Sequence, residues 1–234
     1  MIRRTFLTAL SCVTLAACVG CSGSSSKAGP HPNPGVFELA VVDHETPFGD
    51  AAVPYVQALA GAGKLPAAGV ELVKLPSYGR EGHHVVDGAT IAVAKERAAL
   101  ERAFDELPEE WRLPPSHALR YGQRPWRDDE LLWGAYVIKS EVIVNANDVI
   151  DLKPVEVSGV MGVEIYLSSA GTQRLAELSG ASIGRKLAIV VDGEVLADPI
   201  VNDAITGGKV MISVAGGDAE HEALAKTLRD KLAR

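Results

Sequence analysis

Cysteine is nearly missing from this sequence, and where it occurs it is confined to the start: Cys12, Cys18 and Cys21 are the three in 234 residues. The body of the chain therefore stands without a disulfide framework and must rely on its core. Long apolar runs are scarce too. Beyond the N-terminus no stretch approaches the ~20 apolar residues that a spanning helix needs. The motifs that usually carry chemistry are also missing: there is no HExxH spacing, no Gly-punctuated calcium ladder, no phosphate loop and no G-x-S-x-G elbow. Basic charge is in deficit, with 23 Lys and Arg against 30 Asp and Glu and a formal net charge of -7. That balance argues against nucleic acid as a partner and against electrostatic adhesion to anionic lipid.

What is present begins with an export signal. Arg3 and Arg4 precede an uncharged run from Thr5 to Ala17, too short to span a bilayer. Leu15-Ala16-Ala17-Cys18 resembles a bacterial lipobox, which implies cleavage before Cys18 and lipidation of its sulfur; Cys21 is a second, weaker candidate. Cleavage there leaves 234 minus 17, or 217 residues, and removing two arginines takes the charge from -7 to -9. Arg3-Arg4-Thr5-Phe6-Leu7 also resembles the core of a twin-arginine signal, without its usual flanks. Residues 18–35 are rich in Ser, Gly and Pro and read as a tether. The localisation that follows is the cell envelope, lipid-anchored and facing the periplasm, and Val19 after the anchor tilts the choice towards the outer membrane.

The remaining sequence divides at residue 136. In 36–136, Phe37 to Asp43, Val70 to Leu75, Ala89 to Ala94, His117 to Gln123 and Leu131 to Lys139 read as strands. Ala51 to Ala62 and Lys95 to Leu107 read as helices, the second with an apolar stripe of Ala99 or Leu100, Ala103, Phe104 and Leu107 that Pro108 stops. This β-α-β-β-α-β order is compatible with a ferredoxin-like part. In 137–234, Val149 to Val157 and Val163 to Leu167 are strands, Ser169 to Leu178 is a helix capped by Ser168 or Ser169, and Gly180 is a terminator. A last helix near Asp218 places Leu224, Leu228 and Leu232 on neighbouring turns. The fold class expected is α+β, with mixed and antiparallel sheets and helices packed on one face.

The most particular segment is Gly184 to Ser213. Leu187 to Val191 is an apolar run, Asp192-Gly193 a tight turn, Glu194 to Ala197 a return strand, Pro199 a stop to pairing, Gly207-Gly208 a second turn and Lys209 to Val214 another strand. Gly184, Asp192, Gly193, Pro199 and Gly208 resemble, in order, the head region of the periplasmic first domain (P1) of the SecD and SecDF protein-export subunits. Val163 to Leu167 followed by Ser168-Ser169-Ala170-Gly171 extends the resemblance upstream. It implies a head module over 137–234 and a polypeptide-binding role, with exported polypeptides or the Sec export machinery as partners. The motor's transmembrane helices are not part of the resemblance.

Candidates for chemistry are thin. His83-His84 are neighbours that on a strand would face opposite ways, and Asp128-Asp129-Glu130 reads as a solvated turn. Gly207-Gly208-Lys209 reads as a turn into a strand. Ser77, Ser116, Ser168 and Ser169 sit in no hydrolase motif. Trp111, Trp126 and Trp133 bracket a Pro-rich stretch and read as partly buried packing, with a grip on unfolded chain as the alternative. No catalytic residue, metal ligand or cofactor is assigned. The favoured function is noncatalytic binding of polypeptide by a lipid-anchored protein, through a groove or a strand edge. The alternatives are an envelope enzyme or metal-binding protein with a site in 36–136 around His83, His84 and Asp87, and a docking scaffold for one envelope partner.

Overall fold

A computed structural model of the chain describes residues 37–43, 55–65, 69–74, 90–125, 130–142, 144–157 and 160–212, with 225, 226, 228 and 230. The expected signal and tether with Cys18, and His83, His84 and Asp87, lie outside these residues. The elements in chain order are β1 (Phe37–Val41), α1 (Tyr55–Gly61), β2 (Val70–Lys74), β3 (Thr90–Ala94), α2 (Arg97–Asp105), β4 (His117–Pro125), β5 (Leu131–Lys139), β6 (Val144–Asn145), β7 (Val149–Val157), β8 (Val160–Leu167), α3 (Ser169–Gly180), β9 (Leu187–Val191), β10 (Glu194–Ala197) and β11 (Lys209–Ile212). This is a sheet-dominated α+β fold.

Two sheets form, one of eight strands in the order β2-β3-β5-β4-β10-β9-β1-β6 and one of three in the order β11-β8-β7. A ferredoxin-like half would place β1 inside the N-terminal strands. Instead β1 lies between β9 and β6, and β5 takes the place beside β3. The apolar pattern of β1 explains the exchange, because its Phe37, Leu39 and Val41 join the core cluster of the C-terminal half while Ala40 and Val42 face another. A strand buried on both faces needs a partner on both edges, and the all-buried run of β9 supplies one in antiparallel register, Phe37 opposite Val191 through Val41 opposite Leu187.

The large sheet curls until it meets itself. One edge of β5 pairs with β3 at Trp133 to Ala135. Further along, β1 reaches β5: Val42 bridges Ile138, and Asp43 N–H donates to Val137 O at 2.8 Å. Strands β5, β4, β10, β9 and β1 thus close into a small ring. Its inside is filled by Ala40, Val42, Tyr136, Ile138, Ala188, Val190 and Val195, with alanines where the narrow lumen admits nothing larger. The ring depends on one close approach: a Cβ on Gly122 of β4 would sit 2.1 Å from Val195 O of β10.

Helices α1 and α2 cover the outer face of β3 and β5, where Tyr55, Val56, Leu59, Leu100 and Phe104 pack on Ala92, Ala94, Ala135 and Val137. Each large side chain buried there stabilises the fold by about 1.5–3 kcal/mol. The three-stranded sheet and α3 pack against the outer face of β1 and β9 through Leu152, Val163, Ile165, Leu167, Leu175 and Leu178. Leu228 of the last helix is fully buried in the same cluster, while Asp218, Leu224 and Leu232 lie outside the described residues. Ser168 caps α3, its side chain accepting from Gly171 N–H at 3.1 Å. Gly180 does not end the helix by a left-handed turn. The C-cap is Ala181, and the left-handed residue is Gly184, φ 80°, three residues further on.

Candidate functional site

The hairpin of β9 and β10 is built as its dipeptide dictates. Asp192 and Gly193 both have positive φ, 54° and 79°, the pair of values that a type I′ turn requires and that matches the strands' own twist. After β10 the chain folds back beneath the hairpin: Leu187 N–H donates to Pro199 O at 2.9 Å, Val201 N–H to Arg185 O at 2.9 Å and Gly184 N–H to Val201 O at 2.8 Å. Lys186 and Asp198 form an ion pair across this crossing, both largely buried. Gly208 has φ 66°, its would-be Cβ falls 2.5 Å from Thr172 Oγ1, and its carbonyl accepts from Leu167 N–H at 2.9 Å. In this structure Gly184, Asp192, Gly193, Pro199 and Gly208 shape the backbone rather than gather side chains for chemistry.

Two buried polar groups lock this region and carry no sequence signal of their own. Ser179 Oγ donates to Leu175 O at 2.6 Å and accepts from Ile205 N–H at 2.7 Å, tying α3 to the segment before β11. Asp148 accepts from Asn145 N–H at 3.1 Å and pairs with Arg174. A Cβ on Gly171 would meet its Cβ at 2.7 Å.

Ser116, His117 and Asp43 form the arrangement closest to catalytic machinery. Ser116 Oγ lies 3.0 Å from His117 Nδ1, and His117 Nε2 lies 3.7 Å from Asp43 Oδ2. The second distance is too long for a hydrogen bond, and His117 Nε2 is buried with no hydrogen-bond partner. The Asp43 carboxylate is also faced by Lys139 Nζ at 3.6 Å and Arg185 Nη1 at 3.9 Å. The group acts as an electrostatic pin where β1 meets β4 and β5. Among the described residues no group of three or more His, Cys, Asp or Glu side chains is placed to hold a metal ion. Glu130 is in an ion pair with Lys95 at 2.8 Å, and Ser168 is the helix cap. Ser77, Trp126, Asp128 and Asp129 lie outside the described residues.

The surface offers shape instead of chemistry. A groove of about 490 Å³ runs between the end of α2 and β4, lined by Tyr55, Phe104, Leu107, Leu113 and Leu119 together with Asp105, Arg112 and His117. Tyr55 OH donates to Trp111 O beside it, and burial pushes that hydroxyl's pKa up to about 12. Trp111 and Trp133 are partly buried against the core under the helices, the packing role expected of them. The Arg97 guanidinium stands 5.3 Å over the Tyr121 ring and 5.8 Å over Trp133 and pairs with Glu101 at 2.7 Å and Glu194 at 3.0 Å, so α2 is tied to the hairpin. No helix among the described residues is long and apolar enough to cross a membrane.

These features define a β-rich module whose I′ hairpin and helix-backed three-stranded sheet are pinned together by glycine contacts and buried hydroxyls. Residues 123–232 match the family model described as SecDF, P1 head subdomain. The chain thus carries a SecD P1 head-like domain, and the match starts earlier than residue 137, taking in the last residues of β4 and all of β5. The protein translocase subunit SecD of Acidaminococcus fermentans is 32% identical over 93 residues, covering 39% of this chain and 22% of that protein. SecDF of Thermus thermophilus is 34% identical over 67 residues, covering 29% of this chain and 9% of that protein. The chain therefore spans less than a quarter of either relative. Among solved structures, that of SecDF in a super-membrane-facing form aligns over 82% of this chain and 18% of its own, at 19% identity and a TM-score of 0.40.

Proposed function

We propose that this protein is a noncatalytic, envelope-located binder of polypeptide, held to the membrane by lipid on Cys18 and auxiliary to protein export. The observation that carries the reading is the head match over residues 123–232 to subunits named for protein translocation. The groove of about 490 Å³ beside α2 supports it, because its apolar side chains Phe104, Leu107, Leu113 and Leu119 suit segments of unfolded chain. Partners on this reading are exported polypeptides or the Sec export machinery, together with the membrane through the acyl chains.

The test is titration of the purified protein against a reduced, carboxymethylated polypeptide and against the same polypeptide folded. Saturable binding of the unfolded form alone is expected, at micromolar affinity, about -8 kcal/mol. Equal affinity for both, or turnover of either, overturns the reading. The anchor is checked separately by Cys18→Ala, which is expected to move the protein from the membrane to the soluble periplasmic fraction.

A further inference from the structure

The two sheets leave four strand edges among the described residues, and they are not equivalent templates for an incoming chain. β6 is two residues long, and its Asn145 N–H is taken by Asp148. β7 has nine residues but is blunted. Leu152 N–H donates to Asp151 Oδ1 at 2.8 Å, and Pro154, two residues on and so on the same edge, has no N–H to offer. β11 has four residues, and none of the exposed large apolar side chains lies on it.

β2, with five residues, is longer than β6 and β11, and unlike β7 it is not interrupted by proline. Its outer side pairs with no strand among the described residues, and Leu72 at its centre is 37% exposed. In an antiparallel edge strand alternate residues turn both N–H and C=O away from the neighbour, so β2 offers a ladder ready for pairing. Beside its first residues lies a cavity of about 340 Å³ whose charged lining is Glu71, Glu96, Glu130, Lys95 and Arg102. Lys95 and Glu130 are already paired at 2.8 Å. Glu71 and Glu96 stand beside Arg102 in the rest of that lining, so that three carboxylates meet two cations in an exposed, concave place.

We propose that the outer edge of β2 accepts an extended polypeptide as an added strand, with a Lys or Arg side chain of that polypeptide entering the cavity beside Glu71 and Glu96. This assignment rests on the polypeptide-binding reading and gives it a place and a charge preference. Main-chain bonds along β2 hold chains of many sequences, an apolar side chain covers Leu72, and the carboxylates select for a basic residue. The blunted β7 edge keeps the head sheet from competing.

The test uses the full chain with a photo-crosslinking residue at 72, 150 or 211, one on each of β2, β7 and β11. The probe is a fluorescent decapeptide of alternating valine and lysine. Two controls accompany it, one with a central proline and one with glutamate in place of lysine. Crosslinking from 72 is expected, with each control binding about 10-fold more weakly. The double variant Glu71→Lys, Glu96→Lys is expected to reverse the preference between the lysine and glutamate peptides, a readout that mere loss of packing does not produce. Binding that crosslinks from 150 or 211, or that ignores the central proline, overturns the β2 assignment and leaves polypeptide binding standing. Binding of none of the peptides overturns both.

Discussion

Gly208 and Ser179 show what single residues contribute here. Gly208→Ala combines a positive φ with a clash on Thr172, and is expected to destabilise the fold by about 2–4 kcal/mol in urea unfolding. Thr172→Gly on that background should recover the steric part and leave about 1 kcal/mol of backbone strain, so a non-additive cycle is the signature. Ser179→Ala leaves Ile205 N–H buried without an acceptor and should cost about 1–3 kcal/mol. The turn residues Asp192, Gly193 and Gly208 were legible in the sequence, because a backbone dihedral is a local property. The roles of Ser179 and Gly171 were not, since each depends on a partner more than twenty residues away.

The tyrosines give a pH dependence at the same scale. Burial raises Tyr55 and Tyr121 to about 12, and raises Tyr136 further; hydrogen bonding to Glu164 raises Tyr166. Each folded-state pKa lies above the unfolded value near 10, so the stability these groups contribute is full below about pH 10 and is lost as pH rises through the folded values. Phenolate absorbance should therefore lag in the native protein relative to the chain in denaturant. Native and denatured titrations that coincide near pH 10 would contradict the burial of these rings.

At the scale of elements, strands and helices were largely legible because their periods are strong: the buried run of β9, the stripe of α2 and the serine that caps α3 all stand where pattern places them. The partners of the strands were not legible. β1 reads as the opening strand of a compact N-terminal unit, yet its two apolar faces are matched by the core under the head sheet and by the inside of the ring, a choice no local pattern encodes. The joint that makes this possible is Gly122 against Val195. Gly122→Ala is expected to separate β10 from β4 and cost more than about 3 kcal/mol, with amide exchange accelerating in β9 and β10 as well as in β4 and β5. Acceleration confined to β4 and β5 would mean that the ring is not one cooperative unit.

The whole molecule is interlocked across residue 136. Phe37, Leu39 and Val41 complete the core under the head sheet, so a fragment of 137–234 lacks a wall of its own hydrophobic cluster. That fragment is expected to show a broad, weakly cooperative thermal transition. Co-expression with residues 36–136 should restore a sharp one. The head motif was the strongest function signal in the sequence, because it is linear. The closed ring and the β2 edge, unpaired among the described residues, emerge only when distant strands are assembled.

The measurement that bears most directly on the central claim is photo-crosslinking of the full-length protein in native membranes while secreted chains are being exported, with the crosslinker at exposed positions of β2 and along the groove beside α2. The account predicts crosslinks to unfolded exported polypeptides or export-channel subunits that disappear when export is stopped. Crosslinks to one folded envelope protein that persist after export is stopped would contradict it and make the head domain a dedicated docking module.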